Sequence, residues 1–230
     1  MDSRKYGRTY HYPFSPGTTN DDRINHNYRE DISKIHSLIH TEKLDGENNC
    51  LNRYGVFARS HAAPTTSPWT SQLREQWQLI KNDLEDIELF GENLYAIHSI
   101  EYKRLESYFY VFAARCHDKW LSWEEVKFYA AMFDLPTVPE IKTEVVTDKT
   151  IEALKEEIIE WSQEPSFFGS VDTQTNEDCT REGVVTRNIG EFSMNDFAEN
   201  VFKYVRKVHV KTNVHWTRNW KLARLIWENY

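Results

Sequence analysis

The sequence predicts an α+β fold, and three observations carry that expectation. Helical and two-residue apolar periods are mixed along the chain without the strict alternation of a doubly wound sheet. No Gly/Ser-rich or Pro-rich linker and no internal repeat divides it, so one domain over residues 1–230 is expected. Its 230 residues are 40% hydrophobic and 14% aromatic, with 8 Trp, enough to bury a substantial core and too apolar for a disordered chain.

The opening stretch, residues 12–22, is dense in Pro, Gly, Asn and Asp and reads as turn and loop. Ile32, Ile35, Leu38 and Ile39 fall on one side of a short amphipathic helix. Residues 40–44 read as a strand, and Asn52-Arg53-Tyr54-Gly55 as the turn of a hairpin between residues 49–51 and 56–59. Leu73, Trp77, Ile80 and Leu84 recur at helical spacing over residues 71–86. Residues 87–90 and 108–114 are apolar and aromatic runs of strand length. Ser122-Trp123-Glu124-Glu125 is a capping box, in which the hydroxyl and Glu125 satisfy exposed amides reciprocally. The helix it opens buries Trp123, Val126, Tyr129 and Phe133 and stops at Pro136. Asp148 starts another, with Ile151, Leu154, Ile158 and Trp161 in phase. Residues 182–187 and 201–205 read as strands, the second in preference to a helical period shared by Phe197, Val201 and Val205.

Several function classes fall away. No apolar run approaches the roughly 20 residues of a membrane span, and the N-terminus lacks the apolar stretch of a secretory signal. Three cysteines, Cys50, Cys116 and Cys179, form no C-x-x-C pair, which disfavours a disulfide scaffold and a structural zinc site and makes a reducing, cytoplasmic compartment the expectation. Cys50 reads as a buried strand residue. His36 and His40 are the one H-x-x-x-H pair, but Ser37 stands where a zinc protease carries Glu, so both read as helix-end histidines. The formal net charge of −8 argues against a general nucleic-acid coat, though not against an enzyme with its basic residues gathered in one place.

The most informative segment is Glu42-Lys43-Leu44-Asp45-Gly46-Glu47-Asn48, a lysine on a strand leading into a tight Asp-Gly turn. A free lysine, with pKa near ~10.4, is almost wholly an ammonium at neutral pH. Lowering it to about 7–8 for nucleophilic work takes roughly 4 kcal/mol of destabilised charge, which burial or neighbouring cations can supply. The tetrapeptide K-x-D-G is weak alone and most simply a surface strand ending in a turn. It is followed in order by Phe90-Gly91-Glu92-Asn93, Tyr108-Phe109-Tyr110-Val111-Phe112, Arg181-Glu182-Gly183-Val184-Val185 and Phe202-Lys203-Tyr204-Val205-Arg206.

This ordered series resembles motifs I, III, IIIa, IV and V of the covalent nucleotidyltransferase superfamily, and most closely those of ATP-dependent RNA ligases of the RNA-ligase-2-like branch. Asn48 stands where DNA ligases and capping enzymes usually have Arg, and the chain ends soon after the last motif. The resemblance therefore implies an α+β nucleotidyltransferase (ATP-grasp-like ligase) fold, antiparallel sheets with flanking helices and no OB domain. An accessory domain or protein is left open. The implied activity joins RNA 3′-hydroxyl and 5′-phosphate ends through a lysyl-adenylate and an RNA-adenylate, with ATP and Mg²⁺ or Mn²⁺ as cofactors and RNA as partner. A DNA or hybrid polynucleotide ligase, and a catalytically silent RNA-binding module, remain alternatives.

Carried over residue by residue, the resemblance makes Lys43 the nucleophile. Lys203 becomes a cation on the α-phosphate that also depresses the Lys43 pKa. Phe112 would stack on adenine, Glu92 would bind the ribose hydroxyls, and Arg59 would lie near ribose and substrate. Glu42 and Arg206 join the nucleotide-binding set, and Glu182 would hold the metal. Two positions depart from the pattern: Val205 replaces a second motif V lysine, for which Arg206 or Lys207 would have to substitute, and Ala113 replaces an acidic residue. Because Phe109 and Phe112 sit on opposite faces of a strand, at most one can line a pocket. Tyr95 and His98, just after Glu92, are further substrate candidates. Between Lys203 and Arg224 lie Lys203, Arg206, Lys207, Lys211, Arg218, Lys221 and Arg224 with no acidic residue, interleaved with His209, His215, Trp216 and Trp220. That composition suits phosphate contact and base stacking, while the spacing of Trp216, Trp220, Ala223 and Trp227 also fits a closing amphipathic helix.

Overall fold

The computed structural model describes residues 4–207, 217 and 219–229. In chain order the elements are β1 (Tyr10–His11), α1 (Tyr28–Ser33), β2 (Ser37–Lys43), β3 (Glu47–Asn52), β4 (Gly55–Ala58), α2 (Ser71–Ile80) and β5 (Ile87–Asn93). Then come β6 (Ala96–Ile97), β7 (Ile100–Tyr102), β8 (Phe109–Cys116), β9 (Lys119–Trp120), α3 (Trp123–Met132), β10 (Glu140–Val145) and α4 (Asp148–Ser162). The chain continues through β11 (Ser170–Asp172), β12 (Gly183–Asn188), β13 (Phe192–Ser193), α5 (Phe197–Asn200), β14 (Val201–Val205) and β15 (Lys221–Leu222).

Two sheets dominate: a five-stranded one in the order β1-β14-β12-β2-β10 and a six-stranded one in the order β13-β9-β8-β5-β3-β4. All their pairings are antiparallel except β1 with β14, so the α+β class and the antiparallel sheets with flanking helices expected from the sequence are observed.

Two-residue alternation assigns the faces of the first sheet. Leu38, Val184, Phe202 and Tyr204 pack with Ile32 of α1 and Leu154 and Ile158 of α4 in one cluster. The alternate residues Thr41, Val185 and Lys203 stand in one cross-strand row, with Lys43, Gly183 and Val205 in the next, all on the opposite face. There Val185 and Val201 meet Cys50, Phe90, Ala113 and Trp120 of the second sheet, so the two sheets share a core at one end. At the other end they diverge around a cleft. The shortest link between them is the turn at residues 44–46, which leaves β2 in one sheet and enters β3 in the other.

Most predicted elements are present, including the hairpin at Gly55, the capping box at Ser122 and β14 as a strand. Four readings are corrected. Leu38 and Ile39 belong to β2 rather than to the first helix, because β10 and β12 pair with both edges of the strand while Leu38 and Ile39 are buried in different clusters on its two faces. His40 is accordingly a strand residue, fully buried and bonded to Thr186 and Glu144, not a helix-end histidine. Helix α2 ends at Ile80, and Leu84 is buried from the turn that follows. The closing helix is absent among the described residues: β15 pairs with β6, Ala223 is buried and Trp227 is exposed. His209, Lys211, His215, Trp216 and Arg218 lie outside the described residues.

Ser122 accepts from the Glu125 amide, while the Glu125 carboxylate accepts from both the Ser122 amide and hydroxyl. Ser122→Ala is expected to lower unfolding free energy by about 1 kcal/mol, measured by urea titration, with an unchanged m-value.

Candidate active site

The cleft between the sheets has a volume of about 550 Å³, and its walls include Lys43, Arg59, Glu92, Phe112 and Lys203. That size suits a nucleotide-scale ligand. Lys43 reaches it from the last residue of β2, where the strand meets the turn. The turn is held by its own polar residues. Asp45 Oδ2 accepts from the Ser99 amide at 2.8 Å, the Ser99 hydroxyl at 2.6 Å and the Ile100 amide at 2.9 Å. The Asp45 amide donates to the Tyr102 hydroxyl. Gly46 donates its amide to Glu92 Oε1 at 3.0 Å, and a Cβ there would lie 2.5 Å from the Asn93 carbonyl oxygen. Asp45 therefore anchors the turn, and Gly46 allows the backbone to approach β5 closely enough to hold Glu92.

Lys43 Nζ donates to Glu182 Oε2 at 2.6 Å. Glu182 immediately precedes Gly183, the β12 residue paired with Lys43 on one side and Val205 on the other. A Cβ at Gly183 would fall 1.9 Å from the Tyr204 carbonyl oxygen, so only glycine lets β14 come this close. Lys203 stands one row along the same face.

The charges oppose each other strongly. Burial disfavours the Lys43 ammonium, but Glu182, Glu92 and Asp45 outweigh it and the amine is held above its usual value. This corrects the expectation of a depressed lysine: the carboxylates around Lys43 exceed the cations close enough to repel it. Burial raises Glu92 to about 8 and Glu182 to about 7, against the pull of Lys43 on each. Lys203 is lowered, by burial and then by Lys43. Two half-buried carboxyl groups incompletely neutralised by one amine are a hard-oxygen donor set that fits a divalent cation such as Mg²⁺ or Mn²⁺.

The remaining candidates divide. Phe112 lines the cleft and Phe109 is core. At this point β8 carries a bulge: Phe90 pairs with Ala113 and Gly91 with Val111, leaving Phe112 unpaired and re-aimed. Asn48 and His98 line the cleft, whereas Tyr95 packs against Tyr108. Glu42 contributes to the wall, but its carboxylate alternates to the face shared with His40. There Oε2 accepts from the Phe167 amide at 3.0 Å, and burial raises its pKa. Arg206 is not among the residues lining the cleft. Its amide donates to the Glu182 carbonyl, and its side chain lies against Cys179.

Sequence reading missed several wall residues. Arg187 follows the alternation of Gly183 and Val185 onto the cleft face, and its guanidinium donates to the Phe112 and Leu121 carbonyls. Burial lowers it to about 10. Tyr6, Gly7 and Thr9 come from the N-terminal segment, and the Tyr6 ring meets Phe112 edge-on at 5.1 Å. The available signals were the alternation of β12 and the aromatic spacing of Tyr6, Tyr10 and Tyr12.

A family model described as RNA ligase matches residues 36–205, most of the chain. The chain belongs to the RNA ligase family. No curated relative matches its sequence. Among solved structures, this RNA ligase family member is similar to a Naegleria gruberi RNA ligase mutant with ATP and Mn (17% identity, TM-score 0.53, covering 89% of this chain and 56% of that one). It is similar to an archaeal ATP-dependent RNA ligase (14% identity, TM-score 0.54, 88% and 48%). An Aquifex aeolicus protein described as an ATP-dependent DNA ligase also matches (16% identity, TM-score 0.52, 88% and 50%). These likenesses establish the nucleotidyltransferase fold, and the family member spans about half the length of the solved chains. Among the described residues no helix is long and apolar enough to cross a membrane.

The raised Glu92 pKa has a consequence for stability. A carboxyl at about 8 when folded, against the usual 4.5, supports the fold while protonated and loses that support as pH rises between those values. Glu92→Gln, which can still accept from Gly46, lacks this loss. Its melting temperature is expected to gain on wild type from pH 4.5 to about 8 and then level off, measured by scanning fluorimetry across that range.

Proposed function

We propose that this chain is an ATP-dependent RNA ligase in which Lys43 takes AMP from ATP and passes it to an RNA 5′-phosphate for sealing by a 3′-hydroxyl. The observation that carries the reading is the convergence of Lys43, Arg59, Glu92, Phe112 and Lys203 on one cleft, with Glu182 bonded to Lys43. Phe112 presents an aromatic surface for the base. Glu92 is placed for ribose, and Lys203 and Arg59 supply positive charge for phosphate. With the Glu42 side chain turned away, only its backbone is left for the nucleotide.

A divalent cation held by Glu182, Mg²⁺ or Mn²⁺, would neutralise the phosphate oxygens during transfer. Once the carboxylates facing Lys43 are compensated, burial and the Lys203 ammonium both act to release its proton. The amine can then attack the α-phosphorus: the N–P bond forms as the bond to pyrophosphate breaks. In the second step a 5′-phosphate oxygen attacks the same phosphorus and the P–N bond breaks. Reprotonation of that nitrogen makes lysine the leaving group. In the third step the 3′-hydroxyl attacks the 5′-phosphate and AMP departs. The structure of the Naegleria gruberi ligase mutant with ATP and Mn supports the nucleotide and metal in this reading.

Incubation with α-labelled ATP and Mg²⁺ is expected to leave acid-labile, alkali-stable AMP on the protein, and Lys43→Ala is expected to abolish it. Wild-type protein that takes no label from ATP, with either metal, would refute the proposal. Nicked duplexes with ribose or deoxyribose 3′ ends test the RNA preference against the DNA-ligase alternative.

A further inference from the structure

The residues before the family-matched region complete the cleft sheet and touch its second lysine. Strand β1 pairs in parallel with β14, placing His11 beside Lys203. The Tyr12 amide donates to the Lys203 carbonyl at 2.9 Å. The Gly17 amide donates to the Val205 carbonyl, and the Val205 amide donates to the Ser15 hydroxyl. The chain then turns back, the Asn25 amide donating to the His11 carbonyl, and this return brings Asp22 over Lys203. Asp22 Oδ1 lies 3.5 Å from Lys203 Nζ and 3.2 Å from His11 Nε2. Its other oxygen accepts from both the amide and hydroxyl of Thr19 at 2.9 Å.

The dyad has a definite proton arrangement. His11 is 1% exposed, and burial followed by the Lys203 charge lowers its pKa to about 4, so it is neutral near pH 7. A carboxylate can only accept, so Nε2 carries the hydrogen donated to Asp22. Nδ1 then accepts from the Ser15 hydroxyl at 2.8 Å. Burial acts to raise Asp22, but Thr19, Lys203 and His11 outweigh it and hold its pKa at about 2, so it is ionised. One fixed negative charge, oriented by Thr19 and His11, thus faces a lysine that both Lys43 and Arg59 repel.

We propose that Asp22, oriented by His11 and Thr19, is the positioning residue for Lys203, keeping its ammonium charged and aimed into the cleft for the nucleotide phosphate. This rests on the ligase reading above only for its consequence in catalysis. Lys203 sits half-way along a strand whose lengthy side chain has many rotamers, and one ion pair from outside the sheet restricts them. The segment that supplies it precedes residues 36–205, the part matched by the family model.

Asp22→Asn keeps an acceptor for Thr19 and removes the charge. In single-turnover labelling with ATP, it is expected to slow AMP transfer about tenfold or more, the range for losing a charged hydrogen bond. Its melting temperature should fall, because a carboxylate held at about 2 stabilises the fold at neutral pH. Rates are therefore compared below the unfolding transition of both proteins, and Asp22→Glu should recover part of the rate. In a Lys203→Ala background the same substitution should have no further effect, since the two residues act through one amine. Wild-type rates in Asp22→Asn, or an equal slowing with and without Lys203, would overturn the proposal. A readout independent of catalysis is the pKa of ¹³C-dimethylated Lys203 by NMR, which should fall when Asp22 becomes Asn. If wild type itself takes no label the ligase reading fails, and this NMR shift alone decides: an unmoved Lys203 resonance sinks the positioning role, and a downward shift upholds it.

Discussion

The 2.6 Å contact between the Lys43 ammonium and Glu182 lies where the two sheets part, and the surrounding structure is organised by the need to put it there. Lys43 is the last residue of its strand, and the next residues must cross to the other sheet within a short turn. That crossing needs a side chain able to bind several amides, supplied by Asp45, and a residue without Cβ, supplied by Gly46. Loss of either would move Lys43 and Glu92 together, because the Gly46 amide is what Glu92 accepts. On the opposite side Gly183 serves the same end, letting β14 and its lysine lie close to Lys43.

Net charge gives little indication of this site. The chain is acidic by eight charges, yet its cleft gathers Lys43, Arg59, Arg187 and Lys203 against Glu47, Glu92 and the adjoining Glu182, with the Glu42 carboxylate turned away. What matters is that these groups, the exposed Arg59 apart, are partly or wholly removed from water, where each interaction is stronger than on the surface. Burial raises both carboxyls and lowers Lys203 and Arg187, so the uncharged form of each is brought nearer neutral pH. A cleft so poised changes its protonation when a further charge enters, which a surface cluster of the same residues would not do.

The parts legible in the sequence were those set by local chemistry. Ser122 and Glu125 announce a helix start because the capping bonds span only three residues. The Tyr54-Gly55 turn announces a hairpin for the same reason. The order of the motif residues also carried through to one cleft, although their pairing across strands could not be read from spacing. Where reading failed, a distant partner decided. Leu38 and Ile39 fit a helical period as well as a strand, and the choice was made by β10 and β12, more than a hundred residues away. Asp22 looked like an ordinary turn residue, and nothing nearby in sequence reveals that Lys203 stands beside it. The bulge at Phe112 was invisible because it depends on the register of β5 against β8. Arg206 was expected at the nucleotide as a substitute for the lysine that Val205 replaces. Its amide instead ties the end of β14 to Glu182, and its side chain goes to Cys179.

The raised Lys43 pKa need not count against a nucleophilic lysine. An amine kept neutral in a cleft open to water would be exposed to any electrophile that entered, whereas an ammonium bonded to Glu182 with Glu92 nearby is inert. In the ligase proposed above, its reactivity would depend on the arrival of positive charge to compensate those groups, after which burial and Lys203 both favour the neutral amine. On that reading the same groups would hold the nucleophile back and release it, the difference between the two states being set by what Glu182 and Glu92 bind. Such an arrangement accounts for Glu182 lying 2.6 Å from the lysine: if it were placed only to contact substrate, the pairing with Lys43 would merely oppose catalysis.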